Sequence, residues 1–189
     1  CLCVRTRILF YCLDKKQEAI KEHHKNLLCL KINDTANIEW IDAALYILGP
    51  VYGLIYYDIY KEEVKDYLQN IENFIYKRYN SDAWNSMIEK FIKAKKIFTL
   101  SEKNFKEHEA LCKEHIELIS KNIGKINTHF LNACTDYAKY FDAKKDSDNA
   151  IKWCLKAVNI YEEIHNLFPN QDIEEEIKEA NEILKKSKK

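Results

Sequence analysis

Residues 128–168, THFLNACTDYAKYFDAKKDSDNAIKWCLKAVNIYEEIHNLF, decide the fold. In the second half of this stretch Ala150, Trp153, Cys154, Ala157, Ile160, Tyr161, Ile164 and Phe168 recur at spacings of three and four. A helix of 3.6 residues per turn gathers them into one apolar stripe. Ser147 is a suitable N-cap, and Pro169 cannot continue the helix at its far end. The first half, Thr128 to Ala143, carries Phe130, Leu131, Cys134, Tyr137, Ala138 and Phe141 on a second helix. The polar segment between the two is short, which favours antiparallel neighbours.

Working outward, the same period persists. Glu62 to Tyr79 sets Val64, Tyr67, Leu68, Ile71, Phe74, Ile75 and Tyr79 on one face. Ser81 can cap a helix holding Trp84, Met87, Ile88, Phe91, Ile92 and Phe98. Ser101 can cap the next, which runs through Phe105, Leu111, Cys112, Ile116 and Ile119 to Gly124, a residue suited to the left-handed position after a helix. The last segment, Asp172 to Lys185, opens on acidic residues and closes on lysines, in the sense that complements a helix macrodipole. Ile38 to Tyr60 is apolar on all sides and should lie centrally, with Pro50 kinking it or starting a new helix. The expectation is an all-α chain of seven or eight antiparallel helices stacked as hairpins, either an α-solenoid or a compact bundle. No linker rich in Pro, Gly or Ser divides it, so one domain over 1–189 is expected. A start at Cys1 rather than Met leaves a longer parent chain open.

Composition agrees. With 3 Gly and 2 Pro in 189 residues, the chain lacks the turn residues of a many-stranded sandwich or barrel. Lys and Arg number 30 against 30 Asp and Glu, so no long-range field gathers polyanions, and nucleic acid is not an expected partner. Arginine occurs only at Arg5, Arg7 and Arg78; such a lysine-rich, arginine-poor balance, with abundant Ile and Asn, fits AT-rich codons better than selection for phosphate recognition. The 7 cysteines are odd in number and mostly embedded in apolar helical patterns, as expected of reduced thiols in an intracellular, cytoplasmic setting. Arg5 and Arg7 interrupt the first apolar stretch, so no cleavable signal is read there. Ala43 to Tyr57 is uncharged, but Asp42 and Asp58 bound it short of the ~20 residues that cross a bilayer. A buried helix is the expectation and a membrane is not.

The C-terminal third resembles the tetratricopeptide repeat. Ala138 and Phe141 on one helix, then Ala150, Cys154 and Ala157 on the next, fall where that repeat interlocks its small and large positions. Cys134, Tyr137 and Cys154 depart from the large, leucine and aromatic residues usual at their places. The run from Ala157 through Tyr161, Glu163 and His165 to Pro169 is also similar to the longer repeats of kinesin light chains and to the C-terminal helical domain of SET–MYND lysine methyltransferases. The resemblance is best over 126–189. It implies a helix-hairpin array whose inner groove, built from the first helix of each hairpin, binds a peptide or helix of a protein partner. Asn85, Lys93, Asn132, Asp136 and Lys139 are the candidate groove residues.

Candidate chemistry is sparse. His108, Cys112 and His115 stand at i, i+4 and i+7 of one helix, a spacing that can present two imidazoles and a thiolate to zinc, with His129 or Cys134 as a fourth ligand. The same three residues continue the apolar row of Phe105 and Ile119, so an interface role is the preferred reading and no metal is assigned. Cys1, Cys3 and Cys12 lack a second pair for a zinc cluster. Glu162 and His165 form one Glu-x-x-His unit where di-iron bundles need two. No phosphate loop, nucleophile elbow or metalloprotease His pair is present. The tyrosines from Tyr46 to Tyr67 read mainly as packing residues. The reading is thus a non-enzymatic, cofactor-free interaction module, an adaptor or assembly scaffold. Two alternatives are the helical regulatory domain of a larger enzyme, such as a SET–MYND lysine methyltransferase, and a membrane-associated protein anchored by 38–60.

Overall fold

The computed structural model describes residues 5, 8–29, 42, 45, 58–76 and 83–187. Among these residues there is no strand. The helices described are a π-helical turn at Ile8–Cys12 and then, among the described residues, seven α-helices, α1 (Lys16–Cys29), α2 (Lys61–Tyr76), α3 (Ala83–Ser101), α4 (Phe105–Asn122), α5 (Thr128–Ala143), α6 (Ser147–Leu167) and α7 (Glu174–Ser187). The all-α expectation holds. No helix among the described residues is long and apolar enough to cross a membrane. Most of the stretch 38–60, including Tyr46, Tyr52, Tyr56 and Tyr57, lies outside the described residues; Tyr60 is half-buried and stacks on His24 at 3.8 Å between ring centroids.

The chain divides into two compact units, Cys1–Glu102 and Lys103–Lys189. In the first, α2 and α3 pack together and bury Val64, Leu68, Ile71, Phe74 and Ile75 from one helix and Met87, Ile88, Phe91 and Ile92 from the other. The described residues of the apolar stripes read from the sequence lie on these faces, with Tyr67 and Phe98 half-buried, while Tyr79 and the Trp84 side chain lie outside the described residues. Lys95 on α3 reaches Glu72 on α2 at 2.7 Å at the edge of this interface. Near the N-terminus the π-helical turn packs on α1, with Leu9, Ala19 and Ile20 buried. Helix α3 runs through Ser101 rather than ending before it, so Ser101 caps nothing; its hydroxyl donates to Asp58 at 3.3 Å. Ser81 lies outside the described residues.

The second unit carries the deciding stretch. Helix α5 packs against α4, α6 and α7, and α7 packs against both α5 and α6. Neighbours in sequence are antiparallel: Tyr140, late in α5, meets Phe105, His108 and Glu109, early in α4. Likewise Tyr137, late in α5, meets Trp153, early in α6. Where the α5–α6 backbones approach, the side chains are small; Ala138, Ala150, Cys154 and Ala157 have no exposed surface. Ile119, Phe130, Leu131, Ile160, Ile164, Ile173, Ile177 and Ile183 complete this core.

The helix ends follow from local chemistry. Gly124 sits at φ +92° after α4, the left-handed position foreseen for it, and its N–H donates to the Ile119 carbonyl at 3.2 Å. Asn127 caps α5: its Oδ1 accepts from the Phe130 N–H at 2.8 Å while its Nδ2 donates to the Gly124 carbonyl at 3.0 Å. The cap of α6 is Asp146 and not Ser147. Its carboxylate accepts from the Asn149 N–H at 3.3 Å and from Asn149 Nδ2 at 2.8 Å, and these bonds hold it below the usual carboxylate range. Two acceptor oxygens and a full charge at a helix N-terminus outcompete a hydroxyl one position later. Helix α6 ends at Leu167, before Pro169. Helix α7 begins at Glu174, whose N–H donates to Asp172 at 3.4 Å.

Candidate functional site

Helix α5 is the centre of the second unit, and its burial pattern isolates a site. From Phe130 to Tyr140 every residue is buried except Asn132, Asp136 and Lys139. Those three stand at i, i+4 and i+7, so the helix repeat aligns them in one half-exposed polar stripe. The other faces are taken up by α4, α6 and α7. Lys139 lies 3.8 Å from Asp136 on its own helix and forms an ion pair with Glu179 of α7. The pairing across to α7 fixes the stripe beside a second helix, on which Glu175, Glu179 and Glu182 recur at helical spacing and are exposed. The surface is therefore polar and of mixed charge, with an amide, carboxylates and an ammonium along it.

The two remaining groove candidates belong to the first unit. Lys93 on α3 pairs with Glu89 at 2.6 Å within the same helix. Asn85 falls in α3, and its side chain lies outside the described residues.

The His108, Cys112 and His115 row faces inward, all three residues at most 2% exposed. His108 stacks on Tyr140 at 5.5 Å between ring centroids, and Cys112 packs with Tyr137 and Tyr140. Among the described residues no group of three or more His, Cys, Asp or Glu side chains is arranged to hold a metal ion. His129 is exposed and Cys134 is buried. Cys12 is exposed, while Cys1 and Cys3 lie outside the described residues; none of Cys12, Cys112, Cys134 and Cys154 is in a disulfide. Burial pushes the thiols of Cys134 and Cys154 up to about 11, so neither is a ready nucleophile or ligand. Glu162 and His165 are both exposed, and His165 stacks on Tyr161.

One polar network was not foreseen. Tyr140, 1% exposed, donates its hydroxyl to Glu109 of α4 at 2.8 Å. The same oxygen accepts from Lys144 Nζ at 3.1 Å, and Lys113 donates to the other Glu109 oxygen at 2.7 Å. The Lys113 and Tyr140 hydrogen bonds hold the Glu109 carboxyl below its ordinary value. Burial raises the Tyr140 and Tyr137 hydroxyls, so both stay neutral donors. The network fastens α4 to α5, and the Tyr140 ring that carries it packs against Phe105, Tyr137 and Phe141. Its partners are 31 residues apart, so sequence spacing gives no signal of it. Neither a family model nor a curated protein sequence matches the chain.

Proposed function

We propose that the chain is a non-enzymatic interaction module, an adaptor or scaffold of tetratricopeptide-like design, that binds a peptide or helix of a protein partner along α5. The observation carrying this reading is the stripe of Asn132, Asp136 and Lys139, the only residues not buried between Phe130 and Tyr140. A central helix enclosed on its other faces leaves that stripe as the natural contact line, and α7 beside it supplies a second wall. Small residues at the α5–α6 interface and the dual packing of α7 support a hairpin array, in which adjacent first helices share one face.

The test is quantitative affinity capture from native extract with the full chain and with a variant combining Asp136→Lys and Lys139→Glu. A partner retained by the parent and lost by the variant supports the reading. Equal capture by both places the contact elsewhere and overturns it.

A further inference from the structure

The alternation of helix directions brings two loops to one pole of the second unit. Helix α4 ends, α5 begins, α6 ends and α7 begins there, so the connections 123–127 and 168–173 share that end while 144–146 lies at the other. Two large apolar side chains stand on or beside each loop: Ile123 and Ile126 are 54% and 47% exposed, and Leu167, the last residue of α6, and Phe168 are 60% and 56% exposed. Elsewhere in this unit Leu155 is the one other large apolar side chain so exposed. The charges beside the two pairs are opposite. Lys121 and Lys125 flank Ile123 and Ile126, whereas Asp172, Glu174 and Glu175 follow Leu167 and Phe168, all exposed.

A surface with a basic apolar half and an acidic apolar half is complementary to itself under a two-fold rotation. We infer that this pole is a self-association surface, on which the 123–127 loop of one copy meets the 168–173 loop of a second. An isologous contact pairs each Lys121 and Lys125 with the partner's acidic segment and covers the four apolar side chains of both copies. About half of roughly 200 Å² per side chain gives about 400 Å² of apolar surface per copy, inside the range of functional patches but below the ~800 Å² per partner of a stable interface. The dimer is consequently weak and sensitive to salt.

Sedimentation equilibrium of the full chain at up to ~1 mM is the test, at ionic strengths of ~20 mM and ~500 mM, where the Debye length shrinks from tens of ångströms to a few. Dimer is expected at low salt and less of it at high salt. Leu167→Ser with Phe168→Ser should abolish it, as should Lys121→Glu with Lys125→Glu. Adding Glu174→Lys and Glu175→Lys to the latter pair should restore it, because each copy then offers the swapped charges. All these side chains are exposed, and circular dichroism confirms that each variant keeps its helicity. A monomer throughout overturns the inference, as does a dimer that survives loss of Leu167 and Phe168 or a charge swap that restores nothing.

Discussion

Replacing Ala157 by leucine probes the packing that holds the polar stripe in place. Ala157 has no exposed surface and lies where α5 and α6 meet, beside Ala138, Ala150 and Cys154, which are also fully enclosed. Leucine adds three carbons to a fully enclosed site at a helix interface, so the helices are expected to separate or neighbouring side chains to leave their preferred rotamers. Overpacking of this kind costs about 2 kcal/mol, the middle of the usual range. For a chain of this size that corresponds to roughly 4–8 °C in Tm. Leu155→Ala, on the exposed face of the same helix at 50% exposure, is the control, and its effect should stay within about 0.5 kcal/mol. Urea unfolding followed by far-UV circular dichroism gives both values. If Ala157→Leu is neutral or stabilising while the m-value is unchanged, the α5–α6 contact has room to spare and the close-packed hairpin is refuted.

Other outcomes follow from the polar contacts. Glu109→Gln should flatten acid unfolding: the carboxyl is held below its unfolded value, so its contribution is present above about pH 4.3 and fades as pH falls through the lower folded value. Parallel acid titrations of parent and variant check this, and curves that stay equally separated from neutral to acid pH contradict it. Asp146→Ala removes the α6 cap and should lower the thermal midpoint, with Asp146→Ser recovering most of the loss. Gly124→Ala meets no neighbour within 4 Å, so any loss, about 1 kcal/mol, comes from holding φ +92° rather than from a clash. Thiol titration under native conditions should label Cys12 quickly and spare Cys112, Cys134 and Cys154 until the protein is denatured.

The parts of the fold legible in sequence were those written in periodicity. The stripe from Ala150 to Ile164 lies on the buried side of α6, and Gly124 occupies its left-handed position. Caps were read less well, since they depend on which of several adjacent polar side chains reaches the helix N-terminus. Asp146 outcompeted Ser147, Asn127 was not singled out, and Ser101 turned out to be helical. The candidate line on α5 was legible because Asn132, Asp136 and Lys139 share a helical face opposite the apolar one. Its ion pair with Glu179 was not, nor was the Glu109, Tyr140 and Lys144 network, because both join residues of different helices. Spacing along one helix carries no record of which residue of another will face it.

The most direct test of partner binding on α5 is site-specific photocrosslinking. A photoreactive phenylalanine analogue would replace Asn132 in one preparation of the full chain and Leu155 in another, with each exposed to native extract. The α5 reading predicts a discrete crosslinked partner from position 132 and none from position 155, on the exposed face of α6. A crosslink from position 155 with none from position 132 would contradict it.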